Sequence, residues 1–267
     1  MIRAETADHW ILVTHPDHAH LAGEFGEAWG NDQFAPPEPL ADVLYAVHHH
    51  DDGWKARDAA PNLTRDGKPE AFTRALVGAY SAFEEIDLPN YLKVRGQATA
   101  AVSAENRYAG IVTSMHTVNL LTEQADESTI RPEHRTAHRS FVAEQQAWQT
   151  VEADALGADP VALQRAFEFL QACDNLSLIA CSGYAETRAL RHTHPDRSGE
   201  RHTLTCTPVA AGTWSVSPWP FREASHAFTV DRRRVPKSNC SSLETFRAAF
   251  AATAPEPMTI HLVPAMA

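Results

Sequence analysis

The chain opens on alternation. Residues 1–13 hold two strand-like pieces around Glu5-Thr6-Ala7-Asp8, the stronger being Trp10-Ile11-Leu12-Val13, and this predicts a hairpin. The apolar period then lengthens to that of a helix. After His15-Pro16-Asp17, with Asp17 as the expected cap, Leu21, Ala22, Phe25 and Trp29 share one face. His18 lies on that face, whereas His20 falls with Gly23, Glu24 and Glu27 and is expected in solvent. Pro39 starts a second helix whose stripe Leu40, Val43, Leu44, Val47 runs on to His50 and Asp51, leaving His48 and His49 on other azimuths.

Residues 58–69, with Ala60-Pro61-Asn62 and Asp66-Gly67-Lys68-Pro69, read as a loop that could lid a pocket. Helices are expected over 71–83 and 91–102, followed by a strongly apolar segment over 109–121 with His116 inside it. Pro132 opens a long helix to about Leu156 with the stripe His134, His138, Phe141, Gln145, Trp148. Asp159-Pro160 caps the next helix, whose line Leu163, Phe167, Leu170, Asp174, Leu178, Cys181 places a carboxylate among apolar side chains. From about Arg201 alternation returns: residues 202–209, 213–216 and 227–235 read as strands, Ser241-x-x-Glu244 as a capping box, and 259–263 as a last strand. The expected fold is therefore mainly α. It has a helical core over 14–195 and a small C-terminal α+β appendage with an antiparallel sheet over 196–267, joined by the N-terminal strands 1–13.

At 267 residues the chain is long enough to bury a sizeable core. The formal net charge of -11 argues against a broad phosphate-backbone footprint, so nucleic acid is not an expected partner. Cys173, Cys181, Cys206 and Cys240 show no C-x-x-C spacing, and no run approaches the roughly 18 apolar residues of a membrane span. With no apolar run at the start suited to a signal peptide, a soluble cytoplasmic protein without a membrane partner is expected. A homodimer is left open.

Fifteen histidines make clustering more informative than number. The densest run is His48-His49-His50-Asp51-Asp52-Gly53-Trp54, where an imidazole and a carboxylate on consecutive residues can reach one metal ion as a helix ends. His18, His50, Asp51, His116 and Asp174 each fall on an apolar helix face or at its end, and a lone buried carboxylate such as Asp174 needs a cation or hydrogen bonds to offset a desolvation cost of several kcal/mol. His134 and His138 form an i, i+4 pair with metal-ligand spacing.

This series of one His, a His-Asp doublet, a further His and a late Asp resembles the HD-domain superfamily. The resemblance implies that His18, His50, Asp51 and Asp174 supply the core metal set, with Asp51 able to bridge two ions. The chain is also similar to the bacterial domain-of-unknown-function family numbered 3891, through Pro16-Asp17-His18-Ala19, His50-Asp51-Asp52-Gly53-Trp54, Gly67-Lys68-Pro69, Ser114-Met115-His116, Asp174-Asn175-Leu176-Ser177-Leu178 and Trp219-Pro220-Phe221. No activity comes with that second resemblance.

Three functions follow as expectations. The first is hydrolysis of a small phosphorylated substrate with one or two divalent ions (Fe, Mn, Ni, Co, Zn or Mg). In it Asp52 acts as a proton-accepting base, Lys55 and Lys68 contact phosphate, and Trp54 walls the pocket. The second is a two-iron oxygenase acting on a small hydroxylated substrate, which requires a second mid-chain ligand from His134 or His138. The third is a non-catalytic protein that holds a metal or ligand. The β unit is expected to close over the pocket mouth, bringing Trp219 towards Trp54.

Overall fold

The computed structural model describes residues 1–80, 82–83 and 87–266. Its strands are β1 (Ile2–Glu5), β2 (His9–Val13), β3 (Phe72–Thr73), β4 (Arg188–Pro195), β5 (Arg201–Ala210), β6 (Thr213–Ser217), β7 (His226–Pro236) and β8 (Glu256–Pro264). Its helices are α1 (His15–Ala28), α2 (Leu40–His49), α3 (Lys55–Ala59), α4 (Leu88–Glu105), α5 (Arg107–Leu121), α6 (Arg135–Leu156), α7 (Pro160–Ser182) and α8 (Leu243–Ala252).

All eight strands belong to one sheet in the order β3-β1-β2-β7-β8-β6-β5-β4. The sheet is mixed and curled: β1 with β3 and β6 with β8 run parallel, and the other neighbours run antiparallel. The expectation of a mainly α, all-helical protein with a small appendage is therefore corrected. About 51% of the chain is helical, and the sheet takes up much of the remainder. One strand hid its extent: β4 sits inside the stretch read as helical core, where Arg188, Arg191, His192, Thr193 and His194 are too polar to show a clean apolar alternation. The N-terminal hairpin joins the later strands, as expected, by pairing β2 with β7, Trp10 opposite Val235, across more than two hundred residues of sequence.

Helices and sheet share one core. Phe25 of α1 is fully buried and meets Phe228 of β7 edge to face at 4.7 Å, with Phe221 at 6.4 Å. Leu21, Leu170 and Leu176 from the helices lie in the same cluster as Ile2, Val13, Leu204, Val216, Ile260 and Leu262 from the strands. α7 is buried on nearly every side between Leu163 and Ser182, as a helix must be when other helices and a sheet surround it. It leaves its N-terminus through an Asp159 cap on the Val161 N–H and stops at Gly183 in the left-handed region.

Local signals differ from expectation at three places. Thr14, not Asp17, caps α1, its hydroxyl accepting from the Asp17 N–H. The capping box of α8 is Ser242 with Thr245 rather than Ser241 with Glu244. The helix expected over 71–83 is instead β3 and a short 3-10 turn over Arg74–Leu76, with Ser81 outside the described residues. Among the described residues, no helix is long and apolar enough to cross a membrane.

Because Phe25 ties α1 to β7, Phe25→Ala should remove about 3–5 kcal/mol of stability. Urea unfolding followed by far-UV circular dichroism and by tryptophan fluorescence should shift by the same amount with both probes, since Trp10 and Trp214 report the sheet within the same structure.

Candidate metal centre

The His50-Asp51 pair arrives where α2 ends. His50 keeps helical backbone angles as the cap of α2, Asp51 has already left them, and the two side chains therefore converge. A 3-10 turn over Asp52–Trp54 then carries the chain into α3. Gly53 within it serves a close approach: a Cβ there would lie 2.5 Å from the Ala98 Cβ and 2.9 Å from its Cα. Gly53 thus lets α4 lie directly on the motif, and one turn earlier on α4 Arg95 reaches the Asp51 carboxylate.

Five side chains from four segments meet here, each between 1% and 4% exposed: His18 of α1, His50, Asp51, His116 of α5 and Asp174 of α7. Asp51 Oδ2 lies 3.1 Å from His18 Nε2, and Asp174 Oδ1 lies 3.5 Å from His50 Nε2 and 3.8 Å from His18 Nδ1. The His50 ring lies 5.5 Å from that of His18 and 5.1 Å from that of His116. Ligand atoms of His18, His50 and Asp174 fall within 4.8 Å of one another, and so do those of His50, Asp51 and His116.

The outer contacts orient every imidazole. The Ser177 hydroxyl donates to the Asp174 carbonyl, so at 2.9 Å it accepts from His18 Nδ1. Gln171 donates its amide to Asn119 Oδ1 and hence offers Oε1 to His116 Nδ1 at 3.0 Å. His50 Nδ1 donates to the Val47 carbonyl at 2.8 Å, one of the unpaired carbonyls at the end of α2. In all three rings Nδ1 meets an oxygen, and the Nε2 atoms of His18 and His50 lie beside Asp51 and Asp174 respectively. That is the arrangement that outer partners impose on metal-binding histidines. His50 Nε2 is buried with no hydrogen-bond partner, so the donor set fits a cation between rings and carboxylates.

Electrostatics fit the same need. Burial pushes Asp51 up, but Arg95, His50 and His18 outweigh it and hold the carboxyl well below the usual range. Asp174 is likewise lowered against its burial by His50, His116 and His18. Burial lowers His50, yet Asp51 and Asp174 carry it above its ordinary value, while His116 is pushed down to about 4 by burial.

Arg95 is the residue that the sequence reading missed. Its Nη1 donates to Asp51 Oδ1 at 2.7 Å and its Nε to the Tyr91 hydroxyl at 3.2 Å, with the guanidinium 5.1 Å above the Trp54 ring. A signal was there: Leu88, Leu92, Arg95, Thr99 and Val102 follow one helical line, which singles out Arg95 just as the line through Leu170 singles out Asp174. Trp54 is buried, stacked on His15 at 4.7 Å and beside Tyr91, and so backs Arg95. Trp219 packs elsewhere, against Phe221 and His226.

Other candidates are not brought to the cluster. Asp52 pairs with Lys55 at 2.8 Å and His49 at 3.0 Å, Lys55 being largely exposed, and Lys68 pairs with Asp66 at 2.7 Å in an exposed turn. His138 is buried but engages the Leu121 carbonyl at 2.8 Å, and His134 ends the 3-10 turn that precedes α6. Neither belongs to a ligand group among the described residues.

In fold and site the protein is a helical layer on a curled mixed sheet that encloses three imidazoles and two carboxylates. A family model described as "Protein of unknown function (DUF3891)" matches residues 1–237, and the chain belongs to that family. No curated protein and no solved structure matches the chain.

Several imidazoles are held neutral by burial: His15 and His116 are pushed down to about 4 and His194 to about 3 from an ordinary 6.5. A depressed imidazole contributes stability that is whole above the unfolded value and is lost as the pH falls through the folded one. His50, raised, works with the opposite sign. With His48, His192 and His226 also lowered, six imidazoles stand against one, and chelator-treated protein should lose stability steadily as the pH drops from 6.5 towards 4, measured by urea midpoints across that range. A midpoint that stays flat or rises over that interval would contradict the lowering of these imidazoles by burial.

Proposed function

We propose that the chain is a hydrolase that uses one divalent metal ion on a small phosphorylated substrate, with a ligand order similar to that of the HD-domain superfamily. The observation that carries this is the set of three buried imidazoles whose Nδ1 atoms are all tied to oxygens, with the Nε2 atoms of His18 and His50 beside Asp51 and Asp174 and His116 in one ligand group with His50 and Asp51.

Two features favour one ion over two. His50 belongs to both candidate ligand groups, and a neutral imidazole whose Nδ1 is bonded to the Val47 carbonyl offers one lone pair, which serves one ion. Asp51 is the carboxylate that would bridge a pair, and its Oδ1 is engaged by Arg95. A guanidinium thus stands where a second cation would. Less supports the two-iron oxygenase, for which His134 or His138 would have to join His116: His138 turns Nε2 to a backbone carbonyl, and neither belongs to a ligand group among the described residues.

A bound divalent ion would supply a water of lowered pKa and polarise a phosphoryl oxygen. The residues of the chain do the rest. His18, His50, His116, Asp51 and Asp174 hold the ion, Ser177 and Gln171 keep the rings in their tautomers, and Arg95 keeps Asp51 ionised. Arg95 is also the buried cation best suited to meet the negative charge of a phosphoryl group, a role first given to Lys55 and Lys68. The enclosure of all five ligands favours a second reading, a protein that holds its metal without turnover.

Elemental analysis joined to a phosphate-ester screen separates these. Native protein should carry about one ion per chain, lost in His50→Ala and Asp174→Ala. Arg95→Met should keep the ion and lose about 100-fold or more of kcat/KM, the scale set by removing one charge-stabilising donor. Two ions per chain would defeat the single-metal proposal, and a full complement of metal with no turnover on any ester would leave the metal-holding reading.

A further inference from the structure

A second pair of histidines lies on the solvent side of the helical layer, where α2 packs on α1. His48 of α2 and His20 of α1 face each other through their Nδ1 atoms at 3.2 Å, with the rings 5.0 Å apart and tilted by 45°. Each ring turns its other nitrogen to a glutamate of α1: His48 Nε2 lies 3.0 Å from Glu27 Oε1, and His20 Nε2 lies 3.9 Å from Glu24 Oε1. Gly23 makes the floor. A Cβ there would lie 2.1 Å from His48 Nδ1, so the ring rests against the α1 backbone only because that side chain is missing.

The outer contacts decide what the inner nitrogens offer. A carboxylate only accepts, so His48 carries its proton on Nε2 and presents the Nδ1 lone pair to His20. With its own Nε2 proton turned to Glu24, His20 presents a second lone pair opposite the first, and two facing lone pairs need a cation between them. In the ion-free protein a proton on His20 Nδ1 fills that place. Zinc bound to two imidazole nitrogens at about 2.0–2.1 Å in tetrahedral geometry sets those nitrogens about 3.3 Å apart. The 3.2 Å found here matches that spacing.

We propose that His20 and His48 clip one divalent ion of the zinc class between α1 and α2, separate from the five-residue cluster. The choice of ion follows from the donors. Magnesium and calcium take oxygen, whereas imidazole suits zinc and its first-row neighbours. Glu24 and Glu27 supply negative charge and, as outer partners, raise the basicity of the rings in a carboxylate–histidine–metal arrangement. The His20 side chain is 67% exposed, so water completes the coordination. The clip joins the helix that carries His18 to the helix that leads into His50-Asp51. An occupied clip therefore braces the frame of the inner centre from outside.

The test is calorimetric titration with zinc of the native chain, His20→Ala, His48→Ala, Glu27→Gln, the neighbouring control His49→Ala and the cluster variant Asp174→Ala. Both clip variants should bind the clip's zinc at least about tenfold more weakly, and Glu27→Gln, which removes only an outer partner, about tenfold more weakly. His49→Ala and Asp174→Ala should keep it. Zinc lost in His20→Ala but kept in Asp174→Ala supports the clip whether or not the inner cluster is filled. Long-range proton–nitrogen NMR of the native chain, which needs no variant to fold, should show the Nδ1 signals of His20 and His48 moving together as zinc is added. Unchanged zinc binding in His20→Ala, an equal loss in His49→Ala, or imidazole shifts confined to the inner cluster would each overturn the proposal.

Discussion

Two carboxylates taken almost wholly out of water are the constraint to which the rest of this structure answers. Asp51 and Asp174 are each 4% exposed, and such charges persist only with cations and donors around them. The response is distributed over the helical layer: α4 contributes Arg95, α1 and α5 contribute imidazoles, and α7 contributes both Asp174 and the Ser177 and Gln171 side chains that orient those imidazoles. Each contribution depends on a helix being at the right height and rotation. The packing of five segments is therefore tied to the charge balance of one point.

The sheet supplies the rigidity this requires. Phe25 on α1 is locked against Phe228, so the helix bearing His18 is referenced to β7, and α7 is gripped by strands as well as by helices. Gly53 solves a separate problem. By omitting a side chain against Ala98 it brings α4 close enough for Arg95 to meet Asp51, trading some backbone entropy for a buried ion pair. A longer approach would leave Asp51 short of its strongest partner.

Much of the candidate site was legible along the chain because helical period is local. His18 over His20, Asp174 among leucines, and the His50-Asp51 doublet at the end of a stripe could all be read from spacing. Arg95 obeyed the same rule and went unread, because a cation on an apolar line is easily taken for a surface group whose stem is buried. Asp52 and Lys55 misled for the opposite reason: nearness in sequence to His50-Asp51 was taken for nearness in space, yet the 3-10 turn swings them to the surface.

By itself the sequence determined the faces of α1, α2, α5 and α7, the N-terminal hairpin and the alternation of the later strands, since these rest on periods of two or 3.6 residues that no distant contact is needed to reveal. Tertiary structure decided how many strands form one sheet, that β2 lies beside β7, that β4 is a strand at all, and that Arg95 stands at the Asp51 carboxylate. Those outcomes depend on hydrogen bonds and ion pairs between residues far apart in the chain. Local pattern specifies which side of an element is buried, but not what it is buried against.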